Sequence, residues 1–289
     1  MTVESRPTVP VPAAEPDDGW QREPLDLPAY LARIGHRARP AVGVATLVAL
    51  HRAHVAAIPF ENLDIPLGRG VSVELAAIQA KLVGRRRGGY CFEHGLLFAA
   101  VLDRLGFAVT RLLTRTGDPA VHPRPRSHLV LRVRLGDADW LADPGFGSGL
   151  LEPVPLLHNR VHRQGQWRLR TWRGADGGWR LQQRGTAGWE TLYTLSAEAT
   201  YPVDVAGANH LTATSPGSPF VGQPVVVRKD DDQVRRLVGR EYTVERADGS
   251  TVTRAVADAE LGPVLAELGV DLPPADLAVL ARSTTHPER

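Results

Sequence analysis

The sequence predicts an α+β fold in three parts, and three observations predict it. From about residue 25 to about 105, apolar residues recur every three to four positions, the period of helices. From about 107 to about 200 they alternate, the period of strands, in short runs divided by Gly, Asp and Pro. The last third mixes the two patterns. The expected division is a flexible tail over 1–20, a helical domain over 21–106, a β-domain over 107–205 and an α/β part over 206–289.

The tail, "MTVESRPTVPVPAAEPDDGW", holds too little apolar surface to order itself, and no apolar stretch follows a basic start, so no secretory signal is expected. Leu27, Tyr30, Leu31 and Ile34 then form one helical stripe that stops at Gly35. Leu47, Leu50, His54, Ala57 and Ile58 form a second, ended by Pro59, and "ELAAIQAKLVG" a third, ended by Gly84. Beyond Cys91 a fourth stripe runs through Leu97, Phe98, Val101, Leu102 and Leu105 to Gly106. The strand candidates are "FAVTRLLTR", "SHLVLRVRL", "ADWLADPGFG", "GQWRLRTW", "GGWRLQQR" and "TLYTLS". After them come an irregular "NHLTATSPGSPF", a strand at "PVVVRK", a hairpin turning at "ADGS", and helices from about 258 and 274. "RKDDDQVRR" reads as a solvated turn.

Composition narrows the function classes. With 43% hydrophobic and 23% charged residues, the 289-residue chain has the make-up of an ordinary globular protein. Its 34 basic residues, nearly all arginine, are dispersed and opposed by 32 acids, which points away from nucleic acid. No apolar run approaches the roughly 20 residues of a membrane span. A single cysteine rules out an internal disulfide and a multi-cysteine zinc site, and the expected setting is the cytoplasm.

That cysteine sits in "RRRGGYCFEHG". A thiol attacks as its thiolate, and a helix N-terminus favours the thiolate through unpaired N–H groups and partial positive charge. Gly88 and Gly89 permit a tight approach, the helical stripe starts just after Cys91, and Arg85, Arg86 and Arg87 add positive potential. The bland alternative is a small inert core residue, and the setting alone leaves both open.

A reactive cysteine needs a base, and the base an orienting acid. The stretch "HLVLRVRLGDADWLAD" reads as two strands around Gly136 and Asp137. If these two residues form a type II′ turn, Leu135 faces Ala138 and Val130 faces Asp143. His128 is then on the same face as Asp143 and diagonal to it, roughly 7–8 Å away at the backbone, within reach of an imidazole and a carboxylate. A turn one residue longer would put the two on opposite faces, and His128 would be a strand-start residue bonded to backbone. Where the turn holds, Asp143 orients His128, His128 takes the proton of Cys91, and a backbone N–H at Cys91 or beside it stabilises an oxyanion: acyl-transfer chemistry.

The blocks "IPFENLDI" (58–65), "RRGGYCFEHG" (86–95), "SHLVLRV" (127–133) and "WLADPGFG" (140–147) resemble the arylamine N-acetyltransferase family. The likeness runs in order over roughly 25–285, through "SPGSPF" (215–220) and "LVGREYTV" (237–244). It implies a papain-like Cys-His-Asp triad of Cys91, His128 and Asp143, carried by a helical bundle and a central β-barrel-like domain beneath an α/β lid. It also implies acetyl-CoA as co-substrate, no metal, and small aromatic amines, hydrazines or N-hydroxyarylamines as acceptors, the chemistry of xenobiotic metabolism. The acetyl group passes through Cys91 in a ping-pong sequence. Neither nucleic acid nor membrane is an implied partner. Two positions depart from the pattern: Gly95 where Asn or Gln is common, and Pro144 where Val is common. Pro144 restricts the backbone beside Asp143 and so bears on the pocket wall.

Within or beside these blocks, Phe60, Phe146 and Phe220 are candidates to line an acceptor slot, with plain core packing as the alternative. Gly217 and Ser218 are candidates to meet CoA at the cleft mouth. Arg87 and Glu61 are expected to be a structural ion pair, and His94 is a weak rival to His128 as the base. "GFGSG" (145–149) lacks the helix of a dinucleotide loop, and "HNRVH" (158–162) lacks a partner to complete a metal site. Two rival functions share the triad: an amide synthase of the same family acting on an aryl-amine polyketide chain, and a cysteine hydrolase.

Overall fold

Asp26 starts the first helix: its carboxylate takes the Ala29 N–H at 2.9 Å, and Pro28 stands in the first turn of α1 (Leu27–Arg33). This is a computed structural model that describes residues 19–37, 40–198 and 200–283, so the tail expected over 1–20 lies almost wholly outside the described residues. Helix α2 (Val44–Ala57) ends at extended Ile58, before Pro59. The third expected helix is α-helical only over α3 (Leu75–Ile78) and then widens into a π-helical turn over Gln79–Gly84. The wide turn carries Lys81 inward, 3.0 Å from both Asp64 and Glu93. Apolar spacing does not register such an ionic requirement.

Helix α4 (Cys91–Arg104) is buried from Cys91 through Leu102. Glu93 reaches back to cap its start, accepting the Tyr90 N–H at 3.1 Å. The glycines before it are steric necessities. A Cβ on Gly88 would lie 2.2 Å from the Pro59 carbonyl oxygen, and one on Gly89 would lie 2.8 Å from Glu93 Oε2.

The chain then builds an antiparallel sheet from β2 (Ala108–Thr116), β3 (Arg126–Leu135), β4 (Ala138–Ala142), β5 (Val154–Pro155), β6 (Arg160–Gln164), β7 (Trp167–Arg173), β8 (Trp179–Arg184) and β9 (Trp189–Thr194). The spatial order is β5-β4-β3-β2-β9-β8-β7-β6. Its two ends nearly meet, because the Thr171 hydroxyl on β7 bonds the Leu157 carbonyl at 2.8 Å and the Pro155 carbonyl at 3.3 Å beyond β4. The result is a nearly closed, barrel-like sheet around Leu112, Val130, Leu141, Leu169, Leu181 and Tyr193.

A second sheet has the order β1-β10-β11-β12-β13, from β1 (Phe60–Glu61), β10 (Val225–Lys229), β11 (Gln233–Val238), β12 (Glu241–Arg246) and β13 (Thr251–Ala255). Helices α6 (Leu261–Glu267) and α7 (Pro274–Ser283) pack on it through Leu261, Leu265 and Leu280. The hairpin expected at "ADGS" joins β12 to β13, with Gly249 at φ 90°.

Two expectations need correction. The "NHLTAT" half of the irregular stretch belongs to helix α5 (Pro202–Thr214), started by Pro202 and by Asp204, which accepts the Tyr201 N–H at 2.9 Å. Its apolar residues make no clear stripe, so periodicity passes over it, although Pro and an acid in the first turn are start signals. In "RKDDDQVRR" only the middle is a solvated turn: Lys229 is buried, and its ammonium bonds the Ser148 and Gly149 carbonyls and Gln183 Oε1 at 2.7–3.0 Å.

Candidate active site

The hairpin between β3 and β4 sets the register on which the site depends. Leu135 pairs with Ala138 and Leu131 with Ala142, and Gly136 takes the positive φ of 58° that the first position of a type II′ turn requires. Extending that register by one residue sets Val130 opposite Asp143 and His128 diagonal to it. The side chains meet: His128 Nε2 lies 2.8 Å from Asp143 Oδ2, both groups buried.

Their electrostatics follow from this contact. Burial disfavours a charged ring on His128, but the charge and hydrogen bond of Asp143, with the neighbouring Cys91, outweigh it and push His128 up to about 10. Burial would raise the Asp143 carboxyl in turn. His128 and the Gly145 N–H, 3.1 Å from Oδ1, instead hold it below the usual carboxylate range. The Tyr193 hydroxyl stands near the same carboxylate without reaching direct hydrogen-bond geometry.

Cys91 opens α4, its sulfur 3.5 Å from the Ser127 carbonyl, which directly precedes His128. With Nε2 of His128 held by Asp143, Nδ1 is the ring nitrogen left for the sulfur. Gly145 allows the loop after Asp143 to close over this helix start. A Cβ there would lie 2.9 Å from the Cys91 carbonyl oxygen and 3.0 Å from its Cα.

A cleft of about 720 Å³ opens over Cys91 and His128. Phe60, Phe146 and Phe220 all line it, as do Gly217 and Ser218. Phe146 stands edge-on to the His128 ring at 5.1 Å, and Tyr193 packs on the same ring at 5.1 Å, so the imidazole is wedged as well as bonded. Phe60 and Phe220 pack on each other at 5.8 Å, tilted by 47°. The Ser218 hydroxyl donates to the Thr212 carbonyl at 2.6 Å, closing the end of α5, while Gly217 presents bare backbone to the cleft.

Other sequence candidates lie elsewhere. Arg87 and Glu61 do form a buried ion pair, 2.7 Å apart, behind α4. His94 faces away from the cleft: its Nε2 bonds the Pro59 carbonyl at 3.2 Å and its Nδ1 meets His54 at 2.8 Å, so it is not placed to serve Cys91. His158, of "HNRVH", stacks on Trp172 at 4.6 Å and accepts the Arg173 N–H. Sequence reasoning missed His51, whose Nε2 accepts the Asp143 backbone N–H at 3.1 Å, and Tyr193. Neither falls in a stretch with a chemical motif. Among the described residues, no helix is long and apolar enough to cross a membrane.

Comparison with known proteins agrees with the blocks around this site. A family profile described as N-acetyltransferase matches residues 43–275. The arylamine N-acetyltransferase of Mycolicibacterium smegmatis is 39% identical over 259 residues, covering 86% of this chain and 93% of that one. The crystal structure of Nocardia farcinica arylamine N-acetyltransferase superposes with a TM-score of 0.86 at 43% identity, over 92% of this chain and 97% of that one. The Mycobacterium marinum arylamine N-acetyltransferase, solved in complex with CoA, superposes with a TM-score of 0.81 at 31% identity, over 90% and 98% of the two chains. This chain therefore belongs to the arylamine N-acetyltransferase family and is an acyltransferase.

Proposed function

We propose that the protein transfers acetyl groups from acetyl-CoA to arylamines, hydrazines or N-hydroxyarylamines through an acetyl-cysteine intermediate, with Cys91, His128 and Asp143 as its triad. One observation carries the reading: Cys91 and His128 share the floor of a single cleft, with Asp143 bonded to the far side of the imidazole.

The steps follow from that arrangement. The Cys91 thiolate attacks the thioester carbonyl carbon, and the oxyanion draws on N–H groups at the start of α4, which have no helical acceptor. Collapse breaks the carbon–sulfur bond to CoA, whose sulfur takes the proton of the His128 imidazolium and leaves. The acceptor nitrogen then attacks the acetyl-cysteine carbonyl, returns a proton to His128 and departs as the amide, restoring the thiolate. Exchanging one thioester for another costs little, so the first half-reaction is freely reversible. Asp143 stabilises the imidazolium at the start and end of the cycle, when Cys91 is a thiolate, and orients the neutral ring in the acetyl-cysteine state between. The aromatic rings of Phe60, Phe146 and Phe220 supply the apolar walls that an arylamine ring requires, and the exposed backbone at Gly217 and Ser218 is the proposed CoA contact.

The test is a mass measurement. Incubation with acetyl-CoA and no amine should add the mass of one acetyl group to Cys91 and release one CoA, and addition of an arylamine should remove the adduct as amide. Cys91→Ser should keep the fold and lose both. Steady CoA release with no amine product would favour the hydrolase, and a preference for longer acyl thioesters would favour the amide synthase.

A further inference from the structure

Helix α2 carries two buried histidines, His51 and His54, behind the site, and neither lines the cleft. Their partners dictate where each proton sits. His51 Nδ1 lies 3.0 Å from the Leu151 carbonyl, which can only accept, so Nδ1 carries the proton. The lone pair on Nε2 is thereby turned to the Asp143 N–H at 3.1 Å. The second arm follows the same logic. His94 Nε2 donates to the Pro59 carbonyl, so His94 Nδ1 accepts from His54 Nε2 at 2.8 Å, and His54 Nδ1 accepts from the Tyr30 hydroxyl at 2.8 Å. One helix thus grips the Asp143 strand with His51 and the Cys91 helix with His54.

The His51 bond stands where the ladder stops. Asp143 lies one residue past the end of β4, beyond its last pairing with β3 at Ala142 and with β5 at Leu141, and its N–H takes the His51 ring as acceptor. A buried N–H without an acceptor is costly, and one with an aimed acceptor is fixed in direction. With His51 on its nitrogen, Gly145 N–H on Oδ1 and His128 on Oδ2, Asp143 is held at three points. A packing role alone could be filled by an aliphatic side chain. Two directed bonds through a defined tautomer call for more.

We propose that His51 is a positioning residue of the acyl-transfer site: its Nε2 lone pair, set by Leu151, fixes the Asp143 backbone and so aims the carboxylate at His128. The proposal rests on the triad reading above. Burial keeps His51 neutral by pushing it down to about 4, so the acceptor persists across the range in which the transfer chemistry operates. Asp143 is the charged group that acts on it.

The test compares His51→Gln, which keeps an acceptor near the Nε2 position, with His51→Leu, which keeps bulk and loses it. The first readout is alkylation of Cys91 by iodoacetamide from about pH 5 to about pH 9, which reports on the Cys91–His128 pair without acetyl-CoA. The Leu variant should react about tenfold more slowly at neutral pH, the equivalent of one N–H left without its acceptor, with a profile moved toward that of a free thiol. The Gln variant should stay within about threefold of the parent by the same reasoning. In acetyl transfer, the Leu variant should lose kcat with the amine KM unchanged. A Leu variant that melts at the parent temperature and keeps the parent rate and profile would overturn the role of His51 alone. A parent protein whose Cys91 alkylates like a free thiol would sink the triad reading and this proposal together. If the Leu variant does not fold, nitrogen NMR of the parent decides: a neutral ring protonated at Nδ1 supports the proposal, and one protonated at Nε2 overturns it.

Discussion

Asp143 Oδ2 stands 2.8 Å from His128 Nε2, and one short hairpin brings them together, with His128 in β3 and Asp143 one residue past the end of β4. The contact therefore depends on the Gly136–Asp137 turn, which sets the strand register, and on the Asp143 carboxylate itself. Replacing that carboxylate by an amide keeps the shape and removes the charge that holds the imidazolium. Asp143→Asn should fold, and its acetyl transfer should fall about 10⁴-fold if the triad logic holds. A variant that keeps more than a tenth of parental kcat would show that Asp143 is structural.

Gly145 tests how closely the loop after Asp143 must lie on the start of α4. An alanine Cβ would meet the Cys91 carbonyl oxygen and Cα, which are backbone and cannot swing away. Gly145→Ala should displace Cys91 relative to His128 and lower kcat about a hundredfold, the usual consequence of a shift near 1 Å. The measurement is kcat alongside the melting temperature. Unchanged kcat would mean the loop moves instead of the helix.

Gly95 is one of the two positions that depart from the family pattern, and the packing accounts for it. A Cβ there would lie 2.9 Å from Leu129 Cδ2 and 3.1 Å from Leu129 Cγ, on a fully buried side chain of β3. Replacing glycine by asparagine would gain only about 0.3 kcal/mol of helix propensity, whereas overpacking costs about 1–3 kcal/mol. Gly95→Asn should therefore destabilise, as read by urea unfolding, and shortening Leu129 in the same chain should recover part of the loss. A more stable Gly95→Asn would mean that Leu129 repacks freely.

Four buried histidines sort by environment. Burial pushes His51 and His94 down to about 4 and His54 below its ordinary value, while the Asp143 carboxylate pushes His128 up to about 10. Between about pH 6.5 and about pH 4 the unfolded chain takes up protons at His51 and His94 that the folded chain refuses, so stability falls as the pH falls through that window. His128 works in the opposite sense: its contribution is complete below about pH 6.5 and is lost as the pH rises through about 10. Unfolding free energy measured against pH should therefore drop on the acid side before ordinary carboxylates titrate, and His51→Gln should shrink that drop. An acid limb unchanged by the substitution would contradict the assignment.

Much of this site was legible in the chain because its signals are local. A two-residue turn determines which strand positions face each other, so His128 and Asp143 could be paired by counting. Gly-Gly before an apolar stripe marked the helix start at Cys91. The supporting layer was not legible, for physical reasons. His51 and Asp143 are 92 residues apart, and the information that joins them is the tautomer of a ring, which leaves no spacing pattern. Lys229 stands beside three aspartates and reads as solvated, yet its partners are two carbonyls and a glutamine more than forty residues away. Helix α5 escaped because its stability comes from packing and end-capping rather than from an apolar stripe.

The two-residue strand β1 has a consequence for how the protein is made. Phe60 and Glu61 pair with Val227 and Val226, and the neighbouring Asn62 donates to the Phe220 and Gln223 carbonyls and accepts the Val225 N–H, partners 158 to 163 residues further on. On the ribosome, Cys91 emerges long before the segment around Phe220 that completes the lining of its cleft. Contacts of such separation form late, because the loop must be closed before they reward it. The helical segment can gather early, but the cleft is finished only when the last third of the chain has been synthesised. A nascent chain thus carries its single thiol through most of its synthesis without the surroundings that the finished cleft gives it.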